Sequence, residues 1–273
     1  MILVDITEVR TAKVSLLDLQ RAQFETLTSI RSLGIPIDTE ISVSENHVKV
    51  KVADRIQFDN ALRNGKLRLP DNVDVITVGA LAKPVTDIFG GLSLSDSTSG
   101  FAVITPGGIR GITAAAHAAN NQNWSGYNLP FQQERLETFY DVQWHTAPGC
   151  TVTNKIKWWI DGSTRTIIGT VNRSAQPVGQ YVAKYGRTTY YTGGGITAKN
   201  VTLGYIPNCQ PTFIRVDDNA GFSPLAAGGD SGGPWFLGND AWGVTCAVDG
   251  DGNAYYMAVD YVNGIGVSIM TAP

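Results

Sequence analysis

The hexapeptide Gly229-Asp230-Ser231-Gly232-Gly233-Pro234 sets a serine among glycines, which lets backbone N–H groups approach a reacting carbonyl without side-chain obstruction. A serine hydroxyl is a poor nucleophile until a base takes its proton, so a histidine must lie within hydrogen-bond reach. The chain offers His47, His117 and His145. The pattern G-x-S-x-G also serves hydrolases whose triad runs serine, acid, histidine along the chain, but no histidine follows Ser231. The remaining common order is histidine, acid, serine. Thr113-Ala114-Ala115-Ala116-His117 precedes Phe139-Tyr140-Asp141-Val142, which precedes Ser231. Ser231 is therefore the candidate nucleophile, His117 the candidate base and Asp141 the candidate carboxylate that orients it. His145 reads as a surface histidine, and His47, beside a hairpin turn, as a solvated one.

Such a constellation needs a rigid frame. The 273 residues allow one large β domain or two unequal domains. With 43% hydrophobic and only 16% charged residues the chain is globular, and its 30 glycines and 12 prolines imply many turns. A net charge of −3 gives no basic face for nucleic acid, and no apolar run approaches the roughly 18 residues of a membrane span. No nucleic-acid or membrane partner is expected. The first residues carry no apolar signal core.

The first 80 or so residues differ from the rest. Leu16, Leu19, Phe24, Leu27, Ile30 and Leu33 recur at near-helical spacing, with Ser15 as N-cap and Gly34 and Pro36 as the stop. A hairpin follows around Glu45 and Asn46, then a helix over 54–64 and a strand over 73–78. This is a small α+β unit. From Phe101 onward short apolar runs alternate with glycine-rich turns, the pattern of an antiparallel sandwich or pair of barrels, and the stretch 255–269 reads as a strand running into a terminal helix. A boundary falls near residues 80–92.

The segments ITAAAH and GGDSGGPW resemble the histidine and serine motifs of chymotrypsin-like serine peptidases, in particular the bacterial streptogrisin and α-lytic branch. The segments VAKYGRTT and ITAKNVT resemble a streptogrisin stretch, and Ile88-Phe89-Gly90-Gly91 resembles the start of the mature enzymes. The resemblance implies a mainly β fold of two antiparallel Greek-key barrels over 88–273, preceded by a prosegment-like α+β unit over 1–87. It implies a secreted, monomeric endopeptidase without metal or organic cofactor, its partners being a polypeptide substrate and its own N-terminal segment as inhibitor or folding aid. Processing near Ile88 would separate the two.

Residue by residue, the resemblance gives His117 the role of base and then acid, Asp141 that of holding its tautomer, and Ser231 that of forming the acyl-enzyme. The N–H groups of Gly229 and Ser231 form the oxyanion hole. Asp230 pairs with Lys184, which lacks the bidentate fork of arginine. The substrate strand adds to an edge at Thr245, Cys246, Ala247 and Val248. Leu225 and Ala226 fall at the base of the specificity pocket, which implies apolar side chains before the scissile bond unless Asp249 turns inward. Two alternatives stay open: a noncatalytic binding protein on the same fold, and a permanently autoinhibited proenzyme.

The chain departs from the family at its cysteines. Ala118, Ala183 and Gly193 stand where disulfides would form, and three cysteines allow at most one bridge, with a pairing of Cys150 and Cys209 left open. Cys246 reads as a small buried hydrophobe. Asp249-Gly250-Asp251-Gly252-Asn253 resembles a calcium loop but lacks its sixth-place glycine and twelfth-place glutamate, so it reads as a hairpin turn.

Overall fold

The computed structural model describes residues 12–82, 86–159, 161–219 and 221–272. The chain divides into two compact units, Met1–Pro84 and Val85–Pro273.

In the first unit Ser15 caps the helix Leu16–Ser32 by accepting a hydrogen bond from Asp18 N–H at 3.2 Å. Leu19, Ala22, Thr26 and Ile30 form its buried stripe. The strand Ile37–Ser42 turns at Asn46 into His47–Val52, which is joined to a parallel strand, Val73–Thr77, through the helix Arg55–Arg63. Because alternate residues of a strand face opposite ways, Val48, Val50 and Val52 are all 0% exposed among Ile30, Phe58 and Leu67. Their neighbours His47, Lys49 and Lys51 lie on the polar face, paired with Asp74, Glu45 and Glu40.

The second unit is almost entirely antiparallel sheet. A five-stranded sheet runs in the order Ser268–Ile269, Ala102–Ile104, Arg110–Ala114, Tyr140–Thr146, Phe131–Glu137. A three-stranded sheet carries Thr164–Thr166, Cys150–Lys157 and Thr86–Gly90, the last pair parallel. Apart from Ser268–Ile269, the five- and three-stranded sheets come from the N-terminal half of the unit, and six of the remaining strands close into a barrel in the order Asp240–Val248, Pro234–Leu237, Tyr181–Gly186, Tyr190–Val201, Phe213–Asp217, Ala254–Ala258 and back to Asp240–Val248. Closure leaves no exposed sheet edge along most of its length. Trp235, Tyr256, Ile214 and Leu225 fill this barrel, while Phe101, Val142, Phe236 and Val262 belong to a core that draws on strands of both sheets.

The chain end differs from the terminal helix read from the sequence. Val259–Ile265 is a 3₁₀ helix, and Ser268–Ile269 returns as a strand to pair with Ala102–Ile104. Val259, Val262 and Ile265 are its buried residues, spaced by three, which suits three residues per turn rather than 3.6. Gly266 at φ 73° ends it. All three cysteines are thiols, so no bridge joins Cys150 to Cys209.

Candidate active site

His117 stands in the turn that follows the strand Arg110–Ala114, and Asp141 is the second residue of Tyr140–Thr146, its neighbour in the sheet. Gln143, two residues along that strand and on the same face as Asp141, donates through Nε2 to the carbonyls of Ala115 at 2.6 Å and Ala118 at 3.1 Å. The turn carrying His117 is thus tied to the strand carrying Asp141. One side chain, Asp141, is 0% exposed and accepts twice from His117, through the main-chain N–H at 3.0 Å and Nδ1 at 2.7 Å. The opposite ring nitrogen, Nε2, lies 2.7 Å from Ser231 Oγ. Nδ1–H held by a carboxylate leaves Nε2 with the lone pair that can accept the serine proton.

Burial works against the imidazolium of His117, but the hydrogen bond to Asp141, and its charge with that of Asp96, override it and raise the ring above its ordinary value. Asp141 has two further neighbours that the sequence did not mark. Tyr205 donates its hydroxyl to Oδ2 at 2.7 Å, and the thiol of Cys246 also faces the carboxylate. Burial, then the nearby Asp141, pushes that thiol well up, so it stays protonated.

Around Ser231 the backbone alternates. The N–H groups of Asp230, Gly232 and Gly233 donate to Ala227, Thr245 and Asp230 carbonyls, whereas those of Gly229 and Ser231 engage no carbonyl among the described residues. Gly229 sits at φ +96° and Gly232 at +87°, which favours glycine at both. A Cβ on Gly232 would also stand 2.4 Å from the Thr98 carbonyl oxygen. Three hydroxyl and amide contacts fix the loop: Thr98 N–H donates to Ser231 O at 2.8 Å, Thr98 Oγ1 to Gly229 O at 2.8 Å, and Thr188 Oγ1 to Gly228 O at 2.7 Å. The last holds the peptide plane whose other face presents Gly229 N–H.

Asp230 and Lys184 are both 0% exposed and meet at 3.0 Å. Burial alone would raise the Asp230 carboxyl, yet Lys184 opposite it and donors from Thr189 and Thr188 hold it below the usual range. Burial lowers Lys184, and Asp230 offsets this only in part. The asymmetry has a structural cause. The carboxylate accepts from Thr188, Thr189 and Ala227 N–H groups and the Thr189 hydroxyl, while the ammonium, among the described residues, donates to Asp230 and that hydroxyl.

Several sequence expectations are corrected. His145 is no surface residue; it is 0% exposed, with Nδ1 2.9 Å from the Leu129 carbonyl and Nε2 2.9 Å from Gln143 Oε1, so it braces Gln143 from behind. Leu225, at 0% exposure, and Ala226, at 3%, pack in the barrel core, so neither offers open surface to a ligand. Thr245 has its N–H committed, while its carbonyl, with two lone pairs, keeps one for a substrate N–H. Its N–H donates to Gly233 O at 2.9 Å and its carbonyl accepts from Gly232 N–H at 2.8 Å. The side chain of Cys246 turns inward, leaving only its backbone for the edge, while Ala247 and Val248 continue that edge beyond the last pairing with Pro234–Leu237. Asp249 does not turn inward: it caps the turn by accepting from Asp251 and Asn253 N–H groups and from Tyr255 hydroxyl. Tyr205, Gln143, Thr98 and Thr188 carried no local signal, because each donates to a residue at least 25 positions away in sequence.

Two antiparallel β-barrels with a serine, a histidine and an aspartate joined in this order define a chymotrypsin-like serine endopeptidase. No family model matches the chain. Glutamyl endopeptidase 2 of Streptomyces griseus is 32% identical over 154 residues, covering 52% of this chain and 73% of that one. The Nocardiopsis protease NAPase superposes with a TM-score of 0.57 at 26% identity, over 68% of this chain and all of that one. A glutamic acid specific serine protease that utilizes a novel histidine triad in substrate binding superposes at 0.58 and 27% identity, over 67% of this chain and all of that one. The chain belongs to the bacterial chymotrypsin-like serine proteases.

Proposed function

We propose that the protein cleaves peptide bonds through an acyl-enzyme on Ser231, with His117 as base and Asp141 as its orienting carboxylate. The observation that carries this is the unbroken relay from Asp141 Oδ2 through Nδ1 and Nε2 of His117 to Ser231 Oγ, with 2.7 Å at each end. Oγ attacks the scissile carbonyl as its proton passes to Nε2. The oxyanion is met by the N–H groups of Gly229 and Ser231, a contribution of roughly 100- to 1000-fold in rate for one such donor. His117 returns the proton to the leaving amine, and water repeats the sequence in reverse to free the acid. A fluorophosphonate reagent should modify Ser231 in the full chain and nothing in Ser231→Ala. A folded wild-type protein that stays unlabelled even after limited proteolysis has removed the first unit would sink the assignment, whereas labelling that appears only after that removal marks the first unit as an inhibitor.

Of the two specificities in view, apolar side chains before the scissile bond are favoured over glutamate. The glutamate-specific relative binds substrate with a histidine triad, and this chain has three histidines in all. His117 is spent on Asp141 and Ser231, His145 is enclosed by Leu129 and Gln143, and His47 belongs to the other unit. Of the cations at the serine loop, Lys184 is buried against Asp230, and Arg187, whose Nε lies 2.9 Å from where a Cβ on Gly229 would stand, donates Nη1 to the Leu94 carbonyl. With peptide series differing only in that residue, kcat/KM for leucine should exceed that for glutamate at least about tenfold, one tenfold step being about 1.4 kcal/mol of transition-state binding. The reverse order rejects the assignment.

The N-terminal unit is proposed to act as a prosegment of a secreted enzyme. In the intact chain Ile88 is 0% exposed in a strand paired with Val152, so scission beside it would require that strand to be unseated first. Scission without unseating it would fall ahead of that strand, in the stretch 79–82, where Gly79, Ala80 and Ala82 are exposed and Leu81 is half-buried.

A further inference from the structure

The catalytic carboxylate is served by a residue that lies outside the three-residue relay. Tyr205 belongs to the segment between the strands Tyr190–Val201 and Phe213–Asp217, and its hydroxyl reaches into the site over a sequence distance of 64 residues. It lies 2.7 Å from Asp141 Oδ2, the same oxygen that receives Nδ1 of His117, and 3.3 Å from the Cys246 carbonyl. One proton cannot satisfy both acceptors, and the short contact to the charged oxygen is the stronger. The ring of Tyr205 stands edge-on to that of His117, with centroids 5.5 Å apart and planes at 79°.

We propose that Tyr205 is a positioning residue of the protease: its hydroxyl, shared onto Asp141 Oδ2, fixes the carboxylate rotamer and sets how much of the carboxylate charge His117 feels. A carboxylate free to rotate about its last bond would offer Nδ1 a range of geometries. The second donor removes that freedom, because Oδ1 is held by His117 N–H and Oδ2 by Tyr205 whatever the state of the imidazole. The same donor draws charge from Oδ2, so the imidazolium is stabilised less than by an unshared carboxylate. Tyr205 is 44% exposed, but its hydroxyl turns in onto Asp141, and desolvation there, with Cys246 and Asp141 nearby, pushes its ionisation up so that it stays a donor. The titratable groups facing this assembly are Asp96 and Asp141 toward His117, and Asp141, Cys246 and Cys209 toward Tyr205. The Cys246 thiol, pushed well up by burial, is a neutral neighbour, and Asp96 sits apart on the loop that caps Ala119 N–H.

The test uses the full chain and reads the rate of fluorophosphonate modification of Ser231 against pH, for wild type and Tyr205→Phe. The phenylalanine keeps the ring against His117 and removes only the hydroxyl. Tyr205→Phe is expected to slow labelling at its plateau by about 3- to 10-fold, as suits one charge-assisted hydrogen bond, and to move the acid limb to higher pH, because the unshared Oδ2 holds the imidazolium more tightly. Tyr205→Leu, which loses ring and hydroxyl, should show the same displaced limb, and it replaces Tyr205→Phe if that variant does not fold. Acid limbs that superimpose on wild type overturn the proposal, even with a slower plateau, since a merely structural role would lower the rate without moving the titration. Absence of wild-type labelling, even after limited proteolysis has removed the first unit, would instead reject Ser231 as the nucleophile, a separate failure.

Discussion

His117 is asked to do two things that burial alone would oppose: to take a proton and to hold it for part of a cycle. Its ring is raised above its ordinary value by Asp141, so the acid limb of kcat/KM is expected above about pH 6.5, the value of an unperturbed imidazole. A limb well below that would mean that Asp141 does not face the ring in solution. Asp141→Asn keeps the shape but reverses the hydrogen-bond role at Nδ1, and the loss in kcat expected from the same change in a related triad is about 10⁴-fold. A second residue-scale prediction concerns the oxyanion donor. Thr188 Oγ1 holds the Gly228 carbonyl, hence the direction of Gly229 N–H. Thr188→Val lets that peptide turn over, and kcat should fall by roughly 10- to 100-fold, less than the loss of an entire donor, with KM little changed. An equal effect on KM alone would assign Thr188 to substrate binding.

At the level of elements, the loop bearing Ser231 is held to the strand Tyr181–Gly186 by a buried ion pair rather than by a disulfide. Lys184→Met leaves a carboxylate at 0% exposure without its cation, and removing one partner of such a pair costs about 3–5 kcal/mol. Urea denaturation at pH 7 should read that loss. The sign with pH follows from Asp230: its carboxyl is lower in the folded chain, so its contribution is complete above the unfolded value of about 3.9 and disappears as pH falls through the folded one. The wild type should therefore lose more stability than Lys184→Met on acidification below about pH 4. The helix Leu16–Ser32 and the hairpin after it were legible because their periodicities are local: Ser15 and Gly34 mark ends, and Val48, Val50 and Val52 mark a face. The serine and histidine motifs were legible because their chemistry demands particular neighbours at short spacing. Tyr205, Gln143 and Thr98 were not, since nothing near them in sequence distinguishes a tyrosine that reaches Asp141 from one on a loop surface. His145 failed for the related reason that alternation along Tyr140–Thr146 is hidden when both faces of a strand are buried.

Across the whole chain, two units of different character follow one another, and the stretch between their described cores is the place where a prosegment would be removed. The first unit has a core of its own in Ile30, Val48, Val50, Val52 and Phe58, so it does not need the catalytic unit to bury its apolar residues. The second begins its sheet at Thr86 with Ile88 already fully buried. A protease binds its substrate as an extended strand, so scission must fall where the chain is not already committed to a sheet. Residues 79–82 lie outside the sheets, although Leu81 is half-buried and the Ala82 N–H, which must be released first, donates to Asp38 Oδ2 at 2.6 Å; Leu81 is the one large apolar side chain among them. The proposed preference for apolar residues and the proposed role of the first unit therefore converge on a single bond, the one between Leu81 and Ala82. Wild-type protein incubated at neutral pH should yield a fragment whose N-terminal sequence begins at Ala82, while Ser231→Ala stays intact. If Ser231→Ala is cut at the same bond under the same conditions, processing belongs to another protease. If the new N-terminus follows an acidic or polar residue instead, the apolar preference is wrong even though the prosegment reading survives.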